Sequence, residues 1–283
     1  MTANKSDVTP RLAHIAVYPV KALDPVALER VGVTDVGGLD NDRAYAMVTG
    51  DGEYLNGKRT DAVHPVQSTV DLDQRQISLG IESDAHPRGD DPPTDGGEAG
   101  EFHLDDDRKA IEGWLSACLG HQVTLEVGAG GSLTDGVIYG DEDRTGPTLT
   151  SAATLREVAS WYDGIDAGEM RLRLRPNLVV EGVPAFWEDR LVADGGRAVQ
   201  VGDVRLVGTH PIPRCVVPTR NPHTGEADDG FRETFVERRE ATLPEWTDPA
   251  AFDGNLYSVT VGTRIPERHR DGELRVGDTV QVI

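Results

Sequence analysis

One cysteine stands in a setting that could do chemistry. Cys215 lies in Pro211-Ile212-Pro213-Arg214-Cys215-Val216-Val217-Pro218-Thr219. Prolines restrict the backbone around it, and an adjacent guanidinium favours the thiolate over the thiol. A thiolate is a nucleophile and a soft ligand suited to a soft or heavy metal. A thiol packed beside a solvated arginine has the same local sequence, so spacing alone leaves both readings open. His210 and His223 bracket Cys215, but without a second cysteine nearby they do not complete a zinc set. Three further places hold charge where a strand or loop could present it. Tyr18-Pro19-Val20-Lys21 reads as a strand ending in a lysine, and Arg175-Pro176-Asn177-Leu178-Val179-Val180 puts an arginine and an amide at the mouth of an apolar strand. Asn56-Gly57-Lys58-Arg59 is a basic loop. An ammonium at such a position binds phosphate or carboxylate readily, although a leftover surface charge looks the same in sequence. No Walker-type loop, Gly-x-Gly-x-x-Gly, His-Glu-x-x-His or Gly-x-Ser-x-Gly occurs.

The elements that must position these groups are mostly strands. Alternation predicts strands over Leu12–Val20, Val26–Thr34, Arg43–Thr49 and Gln76–Ile81, with Gly50-Asp51-Gly52 as a turn. Residues Ser83–Gly100, rich in Asp, Gly and Pro, read as a surface insertion. Asp105-Asp106-Asp107 followed by Ile111, Trp114, Leu115, Cys118 and Leu119 predicts an amphipathic helix with Cys118 as a packing thiol. A strand over Gln122–Val127 leads into the glycine-rich stretch Gly128–Gly146, taken as a domain junction. A second helix is expected over Ser151–Tyr162, with Thr150 or Ser151 as its N-cap. From Leu174 the pattern returns to strands, one of them ending near Gly208 just before the cysteine loop. Two pieces, Val199–Leu206 and Leu274–Val282, share apolar alternation on both sides of Val-Gly-Asp, which predicts strands joined by a tight glycine turn. Many short strands with few helices give a mainly β fold (α+β), built as two β-barrel-like portions over 11–127 and 145–283.

Of 283 residues, 49 are acidic and 28 basic, a net charge of −21. The 28 bases are 24 Arg and only 4 Lys. This balance argues against contact with the phosphates of nucleic acid and against docking on an anionic membrane. It suits life in strong salt, where at about 1 M the Debye length is about 3 Å and self-repulsion is screened. A halophilic cytoplasm is therefore the expected setting. Neither a secretory signal nor an apolar run long enough to span a membrane is present. Two cysteines, Cys118 and Cys215, cannot supply four ligands to an iron–sulfur cluster, and two separate thiols are expected. Where lysine has been driven down to four copies, the survivors Lys21 and Lys58, at strand ends or loops, gain weight as site residues.

Taken in order, the motifs resemble those of the MOSC proteins, and most closely the branch of the amidoxime-reducing component and its bacterial relatives. Tyr18-Pro19-Val20-Lys21 and Asp42-Arg43 carry the N-terminal part of the likeness. Arg175-Pro176-Asn177, Phe186-Trp187-Glu188-Asp189, Val201-Gly202-Asp203, Arg214-Cys215, Asn221-Pro222-His223-Thr224-Gly225-Glu226 and Val276-Gly277-Asp278 carry the rest. The resemblance implies a molybdenum cofactor (molybdopterin) held between the two portions. It assigns Cys215 as the molybdenum ligand and catalytic residue, and Lys21, Lys58, Ser151, Arg175, Asn177 and Arg214 as cofactor contacts. For Ser151, a helix N-terminus offering unpaired N–H groups to an anion makes physical sense. The family is also associated with pyridoxal phosphate binding. The activity implied is reduction of N-hydroxylated or N-oxygenated small molecules. Some bacterial relatives carry a fused ferredoxin-like domain and this chain ends at Ile283, so a separate electron donor is expected, such as a ferredoxin or b-type cytochrome system. Relatives often have Cys-Ser-Arg-Cys where this chain has Ile212-Pro213-Arg214-Cys215, which removes a hydroxyl near the cofactor but keeps the ligand position. The alternatives are a molybdenum cofactor or sulfur carrier using Cys215 without reductase activity, and a non-enzymatic barrel that binds a small ligand or a protein.

Overall fold

The computed structural model describes residues 9–81, 99–128, 146–193 and 196–283, and the backbone of two short strands, Leu133–Thr134 and Val137–Ile138. Most of the expected insertion and of the glycine-rich junction lies outside the described residues. The main element is an eight-stranded sheet. Its order is Val280–Val282, Ala198–Val201, Val204–Pro213, Ser258–Arg264, Thr148–Ser151, Leu178–Glu181, Arg11–Val17 and Val26–Leu28. The first strand of the chain thus lies deep in a sheet whose other members, apart from Val26–Leu28, come from beyond residue 147. It runs antiparallel to Leu178–Glu181, pairing Arg11 with Glu181 and Ile15 with Leu178.

The expected closed barrels are not found among the described residues. At one end of the large sheet lies the three-residue strand Val280–Val282. It approaches Arg11–Val17 through an isolated bridge from Arg11 to Thr279, with Leu12 N–H donating to Asp278 O at 2.8 Å. One bridge is not a ladder, so the sheet curls toward closure and stops. The N-terminal residues form smaller sheets: Tyr45–Thr49 with Val123–Val127, and Val66–Asp71, Gln76–Ile81 and Gly100–His103 in a row. The alternation over Val26–Thr34 is split between two partners. Val26–Leu28 joins the large sheet, while Arg30–Gly32 pairs with Glu273–Arg275.

The two Val-Gly-Asp pieces also part ways. Around Gly202 (φ 54°) the chain makes the expected hairpin, Val201 opposite Val204. Around Gly277 the flanking strands go to different partners, Leu274 to Val31 and Val280 to Val201. The two turns meet, since Gly202 N–H donates to Thr279 O at 3.0 Å and a Cβ on Gly202 would lie 2.6 Å from Asp278 Oδ2.

Helix α1 (Arg108–Leu119) buries Ile111, Leu115 and Leu119, one face at helical spacing, and ends at Gly120 in the left-handed region. Cys118 packs partly buried against that core, and burial pushes its thiol pKa up. Helix α2 (Ala152–Ala159) is capped by Ser151, whose Oγ accepts from Thr154 N–H at 2.9 Å. Two helices were not read from the sequence: α3 (Ala167–Leu174) and α4 (Phe231–Ala241). The signal for α3 was present, because Asp166 caps it by accepting from Glu169 N–H at 2.8 Å. Helices α2 to α4 pack an aromatic-rich core around Phe186, Phe231, Phe235 and Tyr257.

At that core α4 buries Arg239, which is fully enclosed. Its guanidinium lies 4.0 Å from the centroid of the Phe186 ring and pairs with the buried carboxylate of Asp189, which also accepts from Thr247 Oγ1 at 2.7 Å. Removing one member of a buried pair leaves the other charge uncompensated, which costs about 3–5 kcal/mol. Arg239→Ala should therefore lower unfolding stability by about that amount in a denaturant titration. A loss below about 1 kcal/mol would mean that Asp189 finds water or another partner.

Candidate functional site

The pairing of Arg11–Val17 with Leu178–Glu181 brings the end of the first strand to the start of another. Tyr18-Pro19-Val20-Lys21 is fixed by its backbone: Arg43 N–H donates to Tyr18 O, Tyr45 N–H to Pro19 O, and Lys21 N–H to Tyr45 O, all within 2.9 Å. Tyr18 N–H donates to Asp42 Oδ1 at 2.9 Å. The Tyr18 ring, almost fully buried, carries the Arg175 guanidinium 4.1 Å from its centroid and that of Arg43 at 5.1 Å. Arg175 caps α3 in the left-handed region (φ 50°) and donates to Leu23 O at 2.7 Å. Burial pulls its pKa down.

Of these groups, Lys21, Arg43 and Arg175 line a cavity of about 560 Å³. Lys21, Lys58, Arg175, Asn177, Arg214 and Cys215, all singled out in the sequence, contribute to its wall. They enter from different depths. Lys21 is 8% exposed and its ammonium lies 5.2 Å from the centroid of the Tyr54 ring. Lys58 is exposed, held at the rim by the Asn56 side chain, which accepts Lys58 N–H at 2.9 Å. Cys215 is a half-buried free thiol immediately after the strand Val204–Pro213. That strand runs through Pro211 and Pro213 instead of ending near Gly208. The two prolines lack N–H groups, and the pairing with Ser258–Arg264 shifts register between Gly208 and His210 and between Pro211 and Pro213.

Two of the cavity residues make internal bonds that occupy their polar groups. Arg214 has its hydrogen bonds elsewhere than on the cysteine, although Cys215 opposes the lowering of its pKa by burial. It donates to Leu174 O at 3.0 Å, to Val259 O at 3.1 Å through Nε, and to the Thr260 hydroxyl. Burial lowers its pKa to about 10. Asn177 accepts from Thr148 N–H and Oγ1 at 3.1 Å and donates to Ala16 O at 3.0 Å, tying three strands together. Ser151 is fully buried and does not line the cavity; its hydroxyl caps α2 and meets Thr154 Oγ1 at 2.8 Å.

Sequence reasoning missed several wall residues. Arg43, His64, Arg173, Arg220 and the carboxylate of Asp24 all line the cavity. Arg43 stands in the Asp42-Arg43 motif, but nothing in its spacing announced a second guanidinium against Tyr18. Backbone conformation marks the region too: Ala22, Arg43 and Arg175 line the cavity with φ between 50° and 75°, and Thr260, bonded to Arg214, has φ 67°. Such non-glycine residues are uncommon and collect at functional sites. Thr260 is β-branched, which makes its conformation the most strained of the four.

The electrostatics are one-sided. Among the described residues, seven Lys or Arg line the cavity against a single carboxylate, Asp24. Burial raises the Asp24 pKa. His64 is pulled down to about 4, first by burial and then by Arg220 and Arg175. Among the described residues, no three His, Cys, Asp or Glu side chains converge as a metal site.

Because the folded pKa of His64 lies below its unfolded value near 6.5, the unfolded chain takes up the proton first. The contribution of neutral His64 to stability is complete above pH 6.5 and is lost as pH falls toward 4. A proton NMR titration of the imidazole should show a midpoint near 4. His64→Asn should flatten that part of the stability profile, and a midpoint near 6.5 would mean that the ring is solvated.

No curated protein matches the chain. Among solved structures, the YUAD protein from Bacillus subtilis aligns over 97% of this chain and 96% of its own, with 11% identity and a TM-score of 0.39. Two family models match. The MOSC N-terminal beta barrel domain covers residues 9–122, and the MOSC domain covers residues 149–281. With the first model carrying Tyr18 to Lys21 and the second carrying Arg175 to Cys215, the two sides of the cavity come from the two matched segments, and the chain is a MOSC-domain protein.

Proposed function

We propose that this protein is a molybdenum-cofactor-dependent reductase of N-hydroxylated or N-oxygenated small molecules. The observation that carries this reading is Cys215 on the wall of a strongly cationic cavity, within a chain whose net charge is −21. MOSC domains are typically molybdenum-cofactor-binding domains of sulfurase or reductase type. The residues present suit the group. The volume of about 560 Å³ falls in the range of small-molecule sites, about 300–1,000 Å³. A cysteine thiolate is a soft ligand for the metal, and lysine and arginine suit a phosphate.

When bound, the cofactor supplies the two-electron redox chemistry. The protein supplies everything around it. Cys215 is the metal ligand, Arg175 sets positive charge beside Tyr18 and Lys21 beside Tyr54, and Lys58 adds charge at the rim. Asn177 and Arg214 act through the wall they hold in shape, and Ser151 through helix α2. Reduction of an N–OH group takes two electrons and two protons and releases water. The electrons come from a separate donor protein, a ferredoxin or a b-type cytochrome system.

Protein loaded with cofactor should hold about one molybdenum and one pterin per chain and reduce benzamidoxime with a chemical electron donor. Cys215→Ala should lose at least a hundredfold in turnover, within the range seen when a residue at the reacting centre is removed. Turnover retained by Cys215→Ala with molybdenum bound would sink the assignment. Stoichiometric molybdenum without turnover in the wild type would favour a cofactor or sulfur carrier.

The acid excess supports strong salt as the working medium. Thermal unfolding in about 2 M KCl should then occur at a higher temperature than in about 0.1 M, because screening removes self-repulsion. A midpoint that falls or stays level would count against a halophilic origin.

A further inference from the structure

Among the described residues, the cavity wall has more positive charge than its carboxylate neutralises, and its arginines are not equally committed. Arg43 is paired with Asp42, and Arg173 with Glu169 at 2.6 Å and Asp228 at 2.5 Å. Arg175 lies on Tyr18 and Arg214 is bonded to main-chain carbonyls and the Thr260 hydroxyl. Arg220 differs. Its side chain is 23% exposed and reaches its carboxylate, Asp61, only at 3.5 Å. Through Nη1 it donates to Gly225 O at 2.9 Å, a shorter contact than the one to Asp61, so a main-chain group is its nearer anchor.

The turn that holds it is built for rigidity. Asn221 N–H donates to Glu226 O at 2.7 Å, Gly225 N–H to Asn221 O at 2.9 Å, and the Asn221 carboxamide accepts from His223 and Thr224 N–H. Gly225 has φ 73°, and a Cβ there would sit 2.8 Å from Asp61 O, so the turn closes tightly on the loop carrying Asp61 and His64. A guanidinium fixed by its own backbone and paired with Asp61 only at 3.5 Å is preorganised for an incoming anion.

Resting on the reductase reading above, we infer that Arg220 is a specificity residue that binds a carboxylate or similar anionic group of the substrate, so that the preferred substrates are anionic N-oxygenated compounds. His64 reports the field such a group would meet. Two guanidinium groups, those of Arg220 and Arg175, add to burial in suppressing its protonation. Among the described residues, Asp24 is the carboxylate in the cavity wall, where it accepts Ser68 N–H at 2.7 Å, and Asp61 is the longer-range partner of Arg220 at 3.5 Å.

The test compares two benzamidoximes of equal size, one with a para-carboxylate and one with a para-carboxamide, on the cofactor-loaded protein with a chemical electron donor. The carboxylate should show at least a tenfold higher kcat/KM, expressed in KM. Arg220→Gln should bring the ratio near one, and Arg220→Lys should restore most of it. A ratio at or below one in the wild type, with both compounds reduced, overturns the inference and leaves the reductase reading intact. In parallel, calorimetry should show 4-carbamoylbenzoate binding at least tenfold tighter than terephthalamide. Equal binding overturns the inference even if neither oxime is reduced, an outcome that separately defeats the reductase reading. The variant's pterin content identifies which anion Arg220 serves. Full pterin in Arg220→Gln is expected, whereas a parallel loss would assign the residue to the cofactor phosphate and overturn the proposal.

Discussion

The insertion of Arg11–Val17 into the large sheet is the constraint on which the rest of the structure depends. Its ladder with Leu178–Glu181 runs antiparallel, so the C-terminal end of the first strand lies beside the N-terminal end of its partner. Those are the ends that carry Tyr18 to Lys21 and Arg175 to Asn177. Cross-bonds lock the junction. Ala16 N–H donates to Asn177 O at 2.8 Å, the Asn177 amide returns a bond to Ala16 O, and the Tyr18 hydroxyl donates to Pro176 O. Non-local pairing of this kind is slow to form, because the loop entropy must be met before the contacts return anything. Once formed, it makes the cavity wall as rigid as the sheet.

Charge is distributed at two scales. The whole chain is acidic, yet among the described residues the cavity gathers seven lysines and arginines around one aspartate. Burying several cations together is unfavourable unless each has local compensation. The structure provides it unevenly: an aromatic face for Arg175, carbonyls for Arg214, and carboxylates for Arg173 and Arg43. Arginine suits this, since its planar group can stack and donate in several directions at once. Lysine appears in only four copies, and two of them line this cavity.

Much of the fold could be read from local pattern. Gln76–Ile81 occurs as a strand with the expected bounds, and of the residues its spacing named α1 buries Ile111, Leu115 and Leu119, with Trp114 and Cys118 half-buried. The sequence also pointed to residues that share one cavity, because cysteine between prolines and lysine in an arginine-rich chain are both unusual locally. What it could not show was partnership. The same nine-residue alternation, Val26–Thr34, serves two sheets, and nothing local distinguishes its halves. Helix α4 escaped notice because its buried face ends in Arg239, a residue that reads as solvent-facing until Asp189 and Phe186 are seen beside it. Arg220 was hidden in the same way. Its character comes from how weakly it is paired, a property of three-dimensional surroundings with no imprint on spacing.

The contact between the two Val-Gly-Asp turns carries an evolutionary consequence. Gly202 leaves no room for a side chain because Asp278 stands against it, and the Asp278 carboxylate cannot swing aside while it accepts Arg275 N–H at 2.8 Å. A change at either turn alters what the other tolerates. Any drift at Gly202 would have to be preceded by a smaller residue at position 278, which would itself release the end of the strand that precedes it. The two motifs look like independent copies of one short phrase, but in inheritance they form a single epistatic unit.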